Sequence, residues 1–222
     1  MTASLKNGTR SILATFMAFF LFSNFARATP GQDFWTWFQK NEDSLFHFER
    51  NRERVFAALT STLHQVDPNL TFEFGPDTCN HREFVISSEG IKEAFPKVVS
   101  LYDAAPKLPR WTFIKFRPRR ELMDIRYGGL SVPTKDVLFT IHADGGKVGI
   151  TLFIPGHTPE NHETMVGIAF LILDQALGEF DVATEVGSID VRSIADPPKD
   201  AKAVRELAKM FDDIMALSKR HV

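Results

Sequence analysis

The chain has 222 residues, 44% of them hydrophobic, and its 26 Lys and Arg residues against 28 Asp and Glu residues give a formal net charge of −2. This length and composition predict one globular domain with a full core, and the charge disfavours nucleic acid and anionic membrane surfaces as partners. The single cysteine, Cys79, excludes an intramolecular disulfide.

The first 28 residues have the pattern of an export signal. Lys6 and Arg10 are basic, residues 12–22 are apolar, and Ala26-Arg27-Ala28 supplies the small residues that a signal peptidase accepts. We therefore predict a signal peptide at 1–28, one α+β domain at 29–222, and a periplasmic or secreted protein without a stable membrane anchor. The alternative is an uncleaved anchor, although the apolar run is shorter than the roughly twenty residues that span a bilayer.

The mature chain is predicted to begin with helices. Asp33 can cap a short helix that carries the aromatic residues of 34–38, and Asn41 or Asp43 can start a second helix that continues to Leu63. Aromatic residues at this spacing form either a packed core or a platform for a ligand.

Beyond these helices, alternating apolar residues predict strands near 70–74, 83–87, 111–116, 122–126 and 188–194. A helical segment should end near Tyr102, and an amphipathic helix at 200–219 should close the chain. Short connections between consecutive strands favour antiparallel pairing. We therefore predict an α+β fold, with a mainly antiparallel sheet of about six to seven strands and helices packed on it.

The strongest pattern is a β-hairpin followed by an apolar helix. The strands are predicted at 137–142 and 148–154, joined by a turn at Asp144-Gly145-Gly146, and the period of two allows Ile141 to face either Val148 or Ile150. A helix should run from near Pro159 to Leu177 and end at Gly178. We expect Phe139, Ile150, Ile168 and Ile172 to be buried together.

Common enzyme signatures are absent from the sequence, including a glycine-rich phosphate loop, G-x-S-x-G, H-E-x-x-H and C-x-x-C. Three short segments, Phe34-Trp35-Thr36-Trp37-Phe38, Ala105-Pro106 with Trp111-Thr112-Phe113, and Leu173 to Asp181 (LDQALGEFD), resemble a pattern in a family of uncharacterised bacterial proteins. That family has no established activity, so the resemblance implies no catalytic or binding residue.

The first candidate site surrounds the apolar helix. His157, Glu160 and His162 lie at the junction between the hairpin and the helix, while Asp174, Glu179 and Asp181 lie at its far end. A rise of about 1.5 Å per residue separates the two groups by roughly 20 Å, so they form one site only if the chain folds back. Histidines and carboxylates can bind zinc or exchange protons near neutral pH, which would suit a hydrolase. The alternative places the histidines at the surface and makes Asp174 a sheltered hydrogen-bonding group, with donors beyond Gly178 or from Arg126 or Arg192. In that case we expect Asp174→Ala to destabilise the fold more than Glu179→Ala does.

The second candidate site is basic and includes Arg117, Arg119, Arg120 and Arg126. Arginine forks suit phosphate, sulfate or carboxylate, so this segment can bind an anion. The alternative is a solvated sheet edge whose charges discourage aggregation.

These observations favour an exported binding or interaction protein of the cell envelope, with an unknown protein or small molecule as partner and no cofactor. A hydrolase that uses His157 and His162, and an anion-binding protein that uses Arg117, Arg119 and Arg120, are the alternatives.

Overall fold

The computed structural model describes residues 28–195 and 197–218, which form seven α-helices and nine strands. The predicted signal peptide lies outside the described residues, except for Ala28. The helices are α1 (Pro30–Lys40), α2 (Glu42–Phe46), α3 (Arg52–Leu63), α4 (Phe95–Asp103), α5 (His162–Leu177), α6 (Glu179–Glu185) and α7 (Leu207–Ser218). The strands are β1 (Thr71–Phe74), β2 (Arg82–Ser87), β3 (Trp111–Lys115), β4 (Ile125–Tyr127), β5 (Leu130–Val132), β6 (Leu138–Asp144), β7 (Lys147–Ile154), β8 (Val186–Ser193) and β9 (Lys202–Ala203).

The strands of the described residues form three small sheets, with orders β1-β2-β3, β4-β5 and β8-β7-β6-β9. The fold is therefore mixed α and β, but the prediction of one mainly antiparallel sheet of six to seven strands was wrong. Strand β3 is parallel to β2, and β8 is parallel to β7. In both cases a helix lies between the two strands in sequence, and such a crossover returns the chain to the same end of the sheet, which produces parallel pairing.

The two larger sheets contain the same unit. An antiparallel pair (β1 and β2, or β6 and β7) is followed by a helical crossover (α4, or α5 with α6) and then by a strand parallel to the second of the pair. Each unit has its own core, because the buried residues fall into two separate hydrophobic clusters. Two ββαβ units thus account for most of the strands.

The hairpin between β6 and β7 adopts the second of the two predicted registers. Asp144 pairs with Lys147 and Ile141 pairs with Ile150, so Gly145-Gly146 forms the two-residue loop. Both glycines have positive φ angles, 55° and 87°, which only glycine adopts without strain in such a turn.

Helix α5 confirms the prediction for this part of the chain. A 3₁₀ turn at Pro159–Asn161, capped by Thr158, leads into it, and Gly178 ends it with a φ of 84°. The expected core residues Phe139, Ile150, Ile168 and Ile172 are all buried in one cluster. No helix in the described ranges is both long and apolar enough to cross a membrane.

The N-terminal helices differ from the prediction in two places. Thr29, rather than Asp33, caps α1, and the helix expected to continue to Leu63 is broken between α2 and α3 by residues 47–51. The aromatic residues of α1 pack against the first sheet: Phe38, for example, contacts Phe84 and Trp111 at ring-centroid distances of 5.1 Å. Most of this aromatic cluster is therefore core.

Candidate functional site

The chain reverses direction after β3 at a strained residue, Phe116, whose φ is +62°. Arg117 follows, and its guanidinium lies among three carboxylates. Its Nε donates to Glu73, its Nη1 to Asp174 at 3.4 Å and its Nη2 to Glu89 at 3.4 Å. The side chain of Arg117 is only 17% exposed, so these contacts form a largely sheltered ion cluster.

Glu179, the first residue of α6, lies beside this cluster and is 1% exposed. Its Oε1 accepts hydrogen bonds from the backbone N–H groups of Ser88 at 2.9 Å and Gly90 at 3.0 Å, and its Oε2 accepts the N–H of Arg117 at 2.9 Å. A buried carboxylate needs such donors. Glu179 therefore fastens the second unit to two loops of the first.

The surroundings of Asp174 and Arg117 shift the pKa values of these two residues. Burial raises the pKa of Asp174 to about 6; Arg117 opposes this increase, and the neighbouring Glu179 and Glu73 add to it. Burial alone would lower the pKa of Arg117, but Glu73, Asp174 and Glu179 outweigh burial and raise it. Asp174 can therefore exchange a proton near neutral pH, while Arg117 stays charged.

The other arginines of the predicted basic site have different surroundings. Arg119 donates to the carbonyl of Leu177 at 2.8 Å, to Asp181 at 2.8 Å and to Asp212 at 2.9 Å. Arg120 pairs with Glu83 at 2.7 Å, whereas Arg126 lies on β4 and is exposed. The structure thus brings Arg117 together with Asp174 and Glu179, two members of the other predicted site. The guanidinium groups of Arg117 and Arg119 are already paired with carboxylates of this chain.

His157 and His162 lie together at the start of α5, with Nε2 of His157 2.9 Å from Nδ1 of His162. His162 is exposed and His157 is partly exposed. Within residues 28–195 and 197–218 there is no group of three or more His, Cys, Asp or Glu residues that could hold a metal ion. The pair therefore supplies two nitrogen ligands and no third protein ligand.

A pocket of about 410 Å³ lies where the segment after β3 meets α5 and the start of α7; we call it the basic pocket. It is lined by Arg120, Glu121, Leu122, Thr134, Lys135, Ala176, Ala203, Val204, Arg205 and Ala208. Three of these residues are basic and one is acidic. Lys135 and Arg205 form no ion pair with any other described residue. Glu121 likewise forms no ion pair within the described residues, so the pocket offers an excess of positive charge beside an apolar wall.

Sequence reasoning identified Arg120 but missed Lys135 and Arg205. The three residues lie far apart in the chain. Lys135 and Arg205 reach one pocket because the 3₁₀ turn at Thr134–Asp136 contacts the one at Val204–Glu206, while α7 packs against α5. No local pattern marks either of the two missed residues.

Comparison with protein-family models, with curated proteins and with solved structures found no match for this chain.

Proposed function

We propose that the protein is an exported, non-enzymatic binding protein that takes a small anion in the basic pocket. The observation that carries this proposal is the convergence of Arg120, Lys135 and Arg205 on one pocket, with Lys135 and Arg205 unpaired among the described residues. Unneutralised cations beside a concave surface attract anions, and a ligand carboxylate or phosphate would complete their ion pairs.

The size and the wall of the basic pocket define the ligand further. Its volume of about 410 Å³ falls within the usual range for small-molecule sites. Leu122, Ala176 and Val204 provide apolar surface for a short carbon skeleton, while the buried Thr134 brings a hydroxyl group that can donate or accept a hydrogen bond. We therefore expect an aliphatic carboxylate or an alkyl phosphate.

The test uses anions of this type as probes. Succinate, citrate and inorganic phosphate are titrated into the mature protein, and binding is measured by calorimetry at low and high salt. The double variant Lys135→Gln/Arg205→Gln should bind the best of these probes at least tenfold more weakly, and added salt should weaken binding by the parent. The matched control, Lys97→Gln/Arg126→Gln, removes the same charges from exposed positions outside this pocket and should bind like the parent.

Two results would reject the proposal. One is that none of the three anions binds at millimolar concentration. The other is that the pocket variant and the control variant have the same affinity, which would place any bound anion elsewhere on the surface.

A hydrolase that uses His157 and His162 is the second candidate, because their ring nitrogens lie 2.9 Å apart, at hydrogen-bonding distance, and can exchange a proton. A tetrahedral zinc ion with Zn–N bonds of about 2.0–2.1 Å would hold two such nitrogens about 3.3 Å apart, so the rings would have to separate slightly to bind one. Catalytic zinc sites, however, normally have three protein ligands. Elemental analysis decides between the candidates: stoichiometric zinc in the purified protein would favour the hydrolase, and its absence after zinc supplementation would remove the metal-dependent form of this idea.

A further inference from the structure

The break between α2 and α3 opens a second pocket, in the N-terminal helical layer. This pocket has a volume of about 350 Å³ and lies between the end of α1, the 3₁₀ turn at Phe48–Asn51 and the start of α3. Trp37, Leu45, Val55 and Ala58 contribute its apolar surface. We call it the Trp37 pocket.

The buried Arg82 of β2 contacts the first part of this break. It is 4% exposed, and its guanidinium lies over the rings of Phe46 at 5.4 Å and Phe48 at 4.7 Å. Its Nη2 donates to Glu49 at 2.8 Å. Phe46 at the end of α2, together with Phe48 and Glu49 in the break, is thereby held against the first sheet, so the adjoining wall of the Trp37 pocket is ordered without a ligand.

Trp37 differs from the other two tryptophans in its hydrogen bonding. The indole N–H of Trp35 donates to the carbonyl of Leu101 at 2.8 Å, and that of Trp111 donates to Glu42 at 3.2 Å. The indole N–H of Trp37 has no hydrogen-bond partner in the part of the chain that the structure describes. Because Trp37 is also only partly buried, its ring and its donor are available to a ligand.

The charges around the Trp37 pocket are unbalanced. Arg50 and Arg54 line it, are exposed and form no ion pair with another described residue. Asp43 also lines it, but this carboxylate already lies 3.6 Å from His47 and 3.9 Å from Arg110. The two arginines therefore present positive charge that no residue of the described chain neutralises.

We infer that the Trp37 pocket is a second binding site, for a small aromatic carboxylate. The indole ring stacks on the aromatic ring of the ligand, and Arg50 and Arg54 pair with its carboxylate. The basic pocket has no aromatic residue in its lining, so it does not provide this stacking surface. The two sites thus differ in the ligands that they select.

Three probes separate the contributions of ring and charge. Benzoate has both, benzamide has the ring without the charge, and acetate has the charge without the ring. Binding is followed through the indole N–H resonances of the tryptophans in ¹H–¹⁵N NMR spectra of the mature protein, with the Trp37 signal assigned from a Trp37→Phe variant. Benzoate should shift the Trp37 resonance and leave those of the buried Trp35 and Trp111 nearly unchanged.

Benzamide and acetate should each bind at least tenfold more weakly than benzoate, since each lacks one of the two interactions. Arg50→Gln/Arg54→Gln should weaken benzoate binding by at least tenfold. Arg52→Gln is the matched control, because Arg52 lies between these two arginines in sequence but contacts Phe56 at 5.1 Å and does not line the pocket. It should bind benzoate like the parent. All three changes are at exposed positions, and circular dichroism checks that each variant is folded.

The proposal fails if millimolar benzoate leaves the Trp37 resonance in place. It also fails if benzamide binds as well as benzoate, which would indicate an apolar cleft without anion selectivity. Equal affinity of the Arg52 variant and the Arg50/Arg54 variant would likewise reject it. Benzoate binding should persist in Lys135→Gln/Arg205→Gln, and its loss there would assign the ligand to the basic pocket instead.

Discussion

Glu179 and Arg117 are joined by two reciprocal hydrogen bonds: the N–H of Arg117 donates to Oε2 of Glu179, the N–H of Glu179 donates to the carbonyl of Arg117, and both distances are 2.9 Å. The other oxygen of the same carboxylate binds two N–H groups of the loop at Ser88–Gly90. Within this loop Glu89 and Gly90 have positive φ angles, 53° and 78°. One buried side chain therefore holds three segments of the two ββαβ units together.

Replacement of Glu179 by alanine should reduce the free energy of unfolding by about 3 to 5 kcal/mol, because three backbone donors would lose their acceptor in a buried place. Urea unfolding followed by circular dichroism measures this change. Glu93→Ala, at an exposed position near the same loop, is the control and should change stability by less than about 0.5 kcal/mol. A Glu179→Ala protein as stable as this control would show that the carboxylate does not hold the units together.

The structure reverses the order of importance for stability that the sequence predicts for Asp174 and Glu179. Asp174 has apolar neighbours, so the sequence predicts that it is the more important carboxylate for stability, with donors from backbone amides beyond Gly178 or from Arg126 or Arg192. The structure gives it Arg117 instead, and Arg117 keeps Glu73 and Glu89 if Asp174 is removed. Asp174→Ala should therefore cost less stability than Glu179→Ala. The donors of Glu179 come from residues 88, 90 and 117, and no local pattern could reveal contacts over such distances along the chain.

The hairpin and helix α5 could be predicted because their signals are local. Alternation identifies β6 and β7, and the capped start at Thr158 and the stop at Gly178 delimit the helix.

The partner of each strand could not be predicted in the same way. The period of two shows which face of a strand is buried but not which strand lies beside it, so the parallel pairs of β2 with β3 and β7 with β8 were missed. At the break over residues 47–51, the contacts of Phe48 and Glu49 are with Arg82, which is distant in sequence.

Ile172 lies on the buried face of α5 and is 0% exposed. Its truncation to alanine should destabilise the protein by about 2 to 5 kcal/mol, through lost apolar burial and an unfilled cavity. Phe170 lies on the same helix but is 45% exposed, so Phe170→Ala should cost distinctly less. Thermal or urea unfolding of the two variants provides the comparison. Equal losses of unfolding free energy in the two variants would contradict the prediction, because the buried Ile172 would then contribute no more than the exposed Phe170.

Export can be tested independently of both pockets. The protein should be recovered from the periplasm or the medium, and N-terminal sequencing should begin at Thr29. The capping box that Thr29 forms at the start of α1 is compatible with that boundary, since its side chain and Gln32 bond each other's backbone N–H groups. Recovery of cytosolic protein that still begins with Met1 or Thr2 would contradict the prediction.

The stability of the protein should depend on pH through Asp174, whose pKa is raised from 3.8 to about 6 in the folded state. Between these values the folded protein binds a proton that the unfolded chain releases. The contribution of Asp174 to stability should therefore be lost as pH rises from about 4 to about 6, and should be constant above that range. A difference of about two pKa units sets an upper limit of about 3 kcal/mol.

The Asp174→Asn variant isolates this contribution because asparagine does not titrate. Unfolding free energies of the parent and the variant are measured by urea denaturation from pH 4 to pH 7. The stability of the parent relative to the variant should fall by about 2 to 3 kcal/mol over that interval. Asp103→Asn removes an exposed acid on α4 and corrects for the loss of one negative charge. Parallel pH profiles for the parent and Asp174→Asn would contradict the prediction, since they would mean that Arg117 offsets the burial of Asp174 completely.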